Sequence, residues 1–123
     1  MENPEKVFDL KLRCYAFSKN VVLFINNNDF NRVYHSVIDQ LLRSATSVGA
    51  NVIEGKSGNS RKILVNCFSI ALRSANETKY WLCLIRDTMN VNKEVANQLI
   101  KEADEISKII AKSILTLKRN QKE

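Results

Sequence analysis

Apolar residues recur along this chain at alternating intervals of three and four, the spacing that keeps side chains on one face of an α-helix. Four such stripes are present, over residues 7–24, 34–52, 64–85 and 96–117. Short polar segments separate them: NNND, GKSGN and MNVN. The pattern predicts α-helices over residues 4–26, 29–55, 60–88 and 92–119, with Asn3-Pro4-Glu5 as the first helix start.

Four amphipathic helices joined by short turns favour one architecture. Connections this brief keep consecutive helices adjacent, and spacing close to 3.5 residues gives shallow crossings. We therefore predict an all-α, antiparallel up-down-up-down four-helix bundle, with residues 1–123 as a single domain.

Composition narrows the classes of protein further. No apolar run approaches the ~18 residues that span a bilayer, and the first ten residues lack the order of a signal peptide. We expect a cytoplasmic protein without membrane contact, in which Cys14, Cys67 and Cys83 stay reduced. These cysteines form no CxxC pair, and His35 is the only histidine, so no metal or cofactor is expected.

Residues 44–62, SATSVGANVIEGKSGNSRK, interrupt the large apolar stripe with small residues. The GKS triplet is not a phosphate loop, because its glycine spacing is wrong and a helical stripe precedes it. A packing role fits better: Ala45 and Gly49 would face Ala71 and Ala75 and bring two helices close together. A glycine inside a helix costs about 1 kcal/mol relative to alanine, so a close contact should require Gly49.

Charged and amide side chains lie beside this row of small residues. A carboxylate near an apolar contact is costly unless it is paired, so Asn51, Glu54, Arg73 and Glu77 are predicted to form a polar network that fixes the helix register. The alternative is catalysis by the two acids. A di-iron bundle would need Glu-x-x-His repeats, and neither glutamate has one, so no catalytic residue is assigned.

The central two helices resemble a known family. QLLRSATSVGANVIEGKSGNSRK and FSIALRSANETKYWL are similar to the four-helix-bundle proteins encoded in intervening sequences of bacterial 23S ribosomal RNA genes. The family patterns are R-(S/A)-x-x-S-(I/V)-x-A-N-(I/V)-x-E-(G/A) and I-A-x-x-(S/A)-x-x-E. They fall on Arg43, Ser44, Ser47, Val48, Ala50, Asn51, Val52, Glu54 and Gly55, and on Ile70, Ala71, Ser74 and Glu77.

The resemblance implies a homopentamer. It also implies kinship with accessory proteins of diversity-generating retroelements, which bind nucleic acid and a reverse transcriptase. The sequence itself supports assembly, since the first and third helices carry second apolar stripes that a four-helix core does not need. The predicted subunit interface comprises Phe8, Leu12, Tyr15, Tyr80 and Trp81, and a thicker core is the alternative.

The net charge of +6 suits an anionic partner. In an up-down-up-down bundle the first helix start, the turn between helices two and three, and the chain end share one pole. That pole would collect Lys6, Lys56, Arg61, Lys62, Lys118, Arg119 and Lys122. Such a cluster could neutralise several phosphates with little sequence preference, although a solvated surface is the alternative.

Three functions remain open at this stage. The first is a non-catalytic oligomeric protein that binds RNA or DNA through the basic pole. The second is a protein–protein assembly module without a nucleic-acid role. The third is an enzyme whose site the sequence does not reveal. We expect the first.

Overall fold

The structure, a computed structural model, describes residues 10–121. They form α1 (Leu10–Asn26), a short 3-10 turn (Arg32–Tyr34), α2 (His35–Ser57), α3 (Arg61–Thr88) and α4 (Lys93–Gln121). These residues contain no β-strand, which confirms the all-α prediction. The predicted helix start at Asn3-Pro4-Glu5 lies outside the described residues. Within residues 10–121, none of the helices has the length and apolarity needed to cross a bilayer.

Polar side chains set where the helices begin. Ser60 and Asn92 each accept a hydrogen bond from a backbone N–H in the first turn of α3 and α4, respectively, as capping residues do. α2 begins at His35, later than the predicted residue 29. The reason is that Asn31 caps this segment: it accepts from a backbone N–H and starts the 3-10 turn that precedes α2.

The core consists of one buried stripe from each helix. Each helix packs against two neighbours: α2 lies against α1 and α3, and α4 lies against α3 and α1. Burial of these stripes is the main favourable term in folding. The largest fully buried side chains include Phe17, Val21, Leu41, Val48, Val52, Leu82, Ile85, Ile106 and Ile110.

Ionic and polar contacts join α4 to its two neighbours. On the α3 side, Nζ of Lys79 lies 3.1 Å from a carboxylate oxygen of Asp104, and Arg86 donates to Asn97 at 2.9 Å. On the α1 side, the guanidinium of Arg13 bonds both carboxylate oxygens of Glu102, at 2.7 and 2.8 Å.

Candidate nucleic-acid interface

Hydroxyl groups form hydrogen bonds across the contact between α2 and α3. Oγ1 of Thr78 lies 3.0 Å from Oγ of Ser44 and 2.7 Å from the carbonyl oxygen of Ser74. One turn away, Oγ of Ser74 lies 2.9 Å from Oγ of Ser47. Because Ser44 and Thr78 are buried, these bonds satisfy polar groups that would be costly to leave without a partner.

Asn51 extends this hydroxyl network along α2, where its side-chain amide donates to the carbonyl and hydroxyl oxygens of Ser47 at 2.9 and 3.0 Å. The prediction that Glu54, Arg73 and Glu77 belong to the same network is wrong. All three are exposed, and within residues 10–121 the side-chain bonds of the network leave them out. Hydroxyls fit a close helix contact, whereas carboxylates there would lose their hydration.

Two glycines serve two different helix contacts. A Cβ added at Gly55 would lie 2.9 Å from Cβ of Cys67 on α3, and one added at Gly49 would lie 3.2 Å from Cβ of Cys14 on α1. The prediction that Gly49 faces α3 is therefore wrong. Ala45 lies on the same side as Gly49, since its carbonyl oxygen accepts from a serine of α1 at 3.5 Å.

Cys14 is fully buried where α1 meets Gly49. Burial raises the pKa of its thiol from an ordinary 9.0 to about 11, and the nearby carboxylate of Glu102 adds to the rise. Burial disfavours the thiolate, which is the reactive form of cysteine. Cys14 therefore acts as a small core side chain at neutral pH.

Three cations from three elements line one cleft at the α2–α3 connection. Lys11 comes from α1, Lys56 from the last turn of α2 and Arg61 from the first turn of α3, with residues 58–60 between them. The cleft has a volume of about 550 Å³, and among the described residues no acid lines it. The positive end of the α3 dipole also lies here, and the first turn of α3 contains no acidic residue. The cleft is chemically suited to an anion.

The structure describes three of the other five predicted basic residues. Lys62 is exposed in the first turn of α3, and Lys118 and Arg119 are exposed in the last turn of α4. Lys6 and Lys122 lie outside the described residues. Of the predicted basic residues that the structure describes, Lys56 and Arg61 line one cleft, and Lys11 lines it with them.

Several large apolar side chains face outward. Leu12 and Tyr15 on α1 are 69% and 64% exposed, and Tyr80 on α3 is 61% exposed. Phe8 lies outside the described residues. Trp81 differs from the expectation of an exposed anchor, because it is half-buried and packs against the core. Its ring meets that of Tyr80 edge-on, with centroids 5.0 Å apart.

The family model for 23S rRNA-intervening sequence proteins matches residues 6–112. The chain belongs to this family. The match confirms the resemblance that the motifs of the central two helices indicate. No protein with a curated description matches the sequence.

Among solved structures, this family member is similar to a protein of unknown function from the S23 ribosomal protein family of Bacteroides thetaiotaomicron VPI-5482. The two are 33% identical, and the alignment covers 85% of this chain and 97% of that chain. The TM-score is 0.74. The likeness therefore extends over nearly the whole of the neighbour.

Two features of this family member were not predicted from its sequence. Lys11 was not assigned to the basic pole, although it lies on the flank of α1 that turns toward the α2–α3 connection. Thr78 falls within the third apolar stripe, residues 64–85, and the spacing alone does not mark it as a polar contact. The position of Thr78 is the signal that could have indicated its role. It lies four residues after Ser74 and opposite Ser44, where a hydroxyl can bond to its own helix and to the neighbouring one.

Proposed function

We propose that this chain is a non-catalytic accessory protein that binds RNA or DNA phosphates through its basic pole. The observation that carries the proposal is the cleft at the α2–α3 connection, which Lys11, Lys56 and Arg61 line together and which no acid among the described residues lines. Three cations around one site can hold backbone phosphates by charge alone. Within residues 10–121, no aromatic side chain lines the cleft, so base stacking has no part in the proposal.

The subunit in this proposal is an antiparallel up-down-up-down bundle. Supporting it, Ser44 pairs with Thr78 and Ser47 with Ser74, so residue numbers fall along α3 as they rise along α2. Between α3 and α4, Lys79 pairs with Asp104 and Arg86 with Asn97, so residue numbers fall along α4 as they rise along α3. In that arrangement the last turn of α4, with Lys118 and Arg119, approaches the basic cleft.

The proposed assembly is a homopentamer in the cytoplasm. Leu12 and Tyr15 lie on α1, whereas Tyr80 lies on α3, and each of these two helices packs between α2 and α4, so the exposed apolar residues lie at two different places on the subunit. Contact between two different patches is heterologous, and heterologous contacts form a ring where the rotation between subunits closes. A ring would repeat the basic cleft around its axis. Light scattering that gives the mass of a single subunit at micromolar concentration would contradict this assembly.

Binding of a mixed-sequence, fluorescein-labelled RNA, followed by anisotropy at several salt concentrations, tests the function. We expect the logarithm of affinity to fall linearly with the logarithm of salt, with a slope of about −0.7 per neutralised phosphate. Arg61→Glu with Lys62→Glu should weaken binding at least tenfold and make the slope shallower. The matched control is Arg32→Glu with Lys101→Glu, which changes the net charge equally on exposed residues elsewhere.

The second candidate is a protein–protein assembly module, favoured by the exposed Tyr15 and Tyr80. A reverse transcriptase is the protein partner that the family resemblance implies. Equal RNA binding by the Arg61→Glu, Lys62→Glu variant and its control would show that the basic cleft does not bind RNA, and it would select this candidate.

A further inference from the structure

The charge of α4 changes sign along its length. Residues 93–105 contain four acids and two lysines, whereas residues 106–121 contain four cations and no acid. All four cations are exposed: Lys108, Lys112, Lys118 and Arg119. The second half of α4 is therefore a basic surface that carries no acid of its own.

Contacts within the subunit account for only part of this charge. The helix dipole favours cations in the last turn of a helix, and Lys112 lies well before that turn. Lys108 pairs with Asp104 at 3.0 Å, but Lys79 bonds the same carboxylate at 3.1 Å, so two lysines share one acid. Within residues 10–121, no ion pair involves Lys112. The basic surface thus keeps positive charge that the fold does not use.

Lys108, Lys112 and Arg119 share one face of α4. Their separations of four and seven residues place them within about 40° of one another around the helix axis. The row of three extends over about 16.5 Å, at about 1.5 Å per residue. It begins beyond the last acid, Glu105, and ends in the last turn of α4. In the proposed antiparallel subunit, that turn approaches Arg61 in the basic cleft, so the two cationic surfaces are continuous.

We propose that a nucleic-acid duplex lies along this face of α4 and continues to the basic cleft. This contact rests on the proposed function and deepens it, because it adds a second surface and names the form of the nucleic acid. A duplex carries one phosphate charge per about 1.7 Å of its axis, so about ten charges lie beside the row of three cations. Each cation can therefore lie near a phosphate whatever the base sequence.

A single strand fits these surfaces less well than a duplex. Residues 93–121 of α4 contain no aromatic side chain, and none of the described residues that line the basic cleft is aromatic. Proteins that hold single strands commonly stack the bases on aromatic side chains, and neither surface can do so. Binding by charge alone favours the duplex, because each neutralised phosphate releases more counterions from a duplex than from a single strand.

An anionic membrane is the other partner that binds basic helices. A helix that lies on a membrane buries a broad apolar face in the lipid. The apolar stripe of α4 is instead buried in the bundle, as Ile106 and Ile110 show. Among the described residues of α4, only Ile109 and Leu115 are large, apolar and exposed. Two such side chains do not form an apolar face, so the charge fits nucleic acid better.

Fluorescence anisotropy can compare a fluorescein-labelled DNA duplex of mixed sequence with one of its strands alone. A duplex of about 20 base pairs is longer than the row on α4 and the basic cleft together. We expect the full-length protein to bind the duplex more tightly at low salt and with the steeper salt dependence. Equal or tighter binding of the single strand would overturn the inference.

Substitutions then test the face of α4. Lys108→Gln with Lys112→Gln removes two charges of the row and leaves the basic cleft unchanged. Duplex affinity should fall about tenfold or more, and the slope of log affinity against log salt should become shallower by about two. The matched control is Arg32→Gln with Lys101→Gln, which removes the same charge at exposed positions outside the row. Equal effects of the two pairs would overturn the inference.

The outcomes distinguish this inference from the proposed function. If Arg61→Glu with Lys62→Glu weakens binding while the α4 variant matches its control, the face of α4 is excluded and the basic cleft stands. If the wild-type protein binds neither duplex nor single strand, both proposals fail. Binding to phosphatidylserine vesicles but not to the duplex would also overturn the inference. Circular dichroism checks that each variant folds, and the wild-type comparison of duplex with single strand remains decisive if one does not.

Discussion

The α2–α3 contact and the α1–α4 contact hold the same bundle together by different means. Between α2 and α3, hydroxyl oxygens of Ser44 and Thr78 lie 3.0 Å apart, and a Cβ at Gly55 would lie 2.9 Å from Cβ of Cys67. Between α1 and α4, a long arginine side chain reaches carboxylates near the surface, and a cleft of about 590 Å³ remains open. The α2–α3 contact depends on small side chains, and the α1–α4 contact depends on charged ones.

This difference gives a physical reason for the polar positions of the family pattern. Ser44, Ser47, Asn51 and Ser74, four of the pattern's polar positions, all join the hydroxyl network between α2 and α3. A close contact has no room for an added atom, whereas an ionic contact near water tolerates several side chains. The α1–α4 contact therefore has more room for a change of side chain than the α2–α3 contact.

The largest effect should come from adding atoms at Gly55. Gly55→Val would place a side chain on Cys67, and overpacking of a helix contact typically costs about 3 kcal/mol at its upper range. Urea denaturation at fixed protein concentration measures the loss in the free energy of unfolding. Ala50→Val, at an exposed position of the same helix, should cost only about 0.5 kcal/mol. Equal losses in the two variants would show that Gly55 is not a close contact.

The next effect concerns the buried thiol of Cys14 and appears only at high pH. Because the folded-state pKa is about 11 and the ordinary value is 9.0, folding favours the neutral thiol. Its contribution is complete below pH 9 and is lost as pH rises from 9 through 11, by about 2–3 kcal/mol. Cys14→Ala removes this group, so the stability difference between wild type and variant should shrink over that range. A difference independent of pH would contradict the prediction.

The four helices could be predicted from the sequence because burial of one apolar stripe per helix leaves a period that local spacing reveals. The polar network could be predicted only in part. Asn51 is a member, but Glu54 and Glu77 are exposed. Spacing gives the angle of a residue around its own helix, but it does not show which neighbouring helix lies on that side. The same limit explains why Gly49, which meets α1, was assigned to α3.

A smaller loss is expected from Thr78→Val, which keeps the shape of the side chain but removes its hydroxyl. The buried Ser44 hydroxyl would lose a partner across the α2–α3 contact, and such a loss costs about 1–2 kcal/mol. Thr46→Val is the control, because the hydroxyl of Thr46 is exposed and bonds only its own helix; its cost should stay within about 0.5 kcal/mol. A double-mutant cycle with Ser44→Ala should show coupling, and independent effects would argue against the pair.

The smallest effect should come from Arg13→Met, which keeps the apolar stem and removes the charge that joins α1 to α4. Its side chain is 35% exposed and that of Glu102 is 32% exposed, so water screens the pair and the loss should be at most about 1 kcal/mol. High salt should reduce it further. Lys108→Met breaks an exposed pair within α4 alone and should cost less still. A loss from Arg13→Met that exceeds the loss from Thr78→Val would reverse the comparison, because the ionic contact, and not the small hydroxyls, would then be the stronger constraint on the bundle.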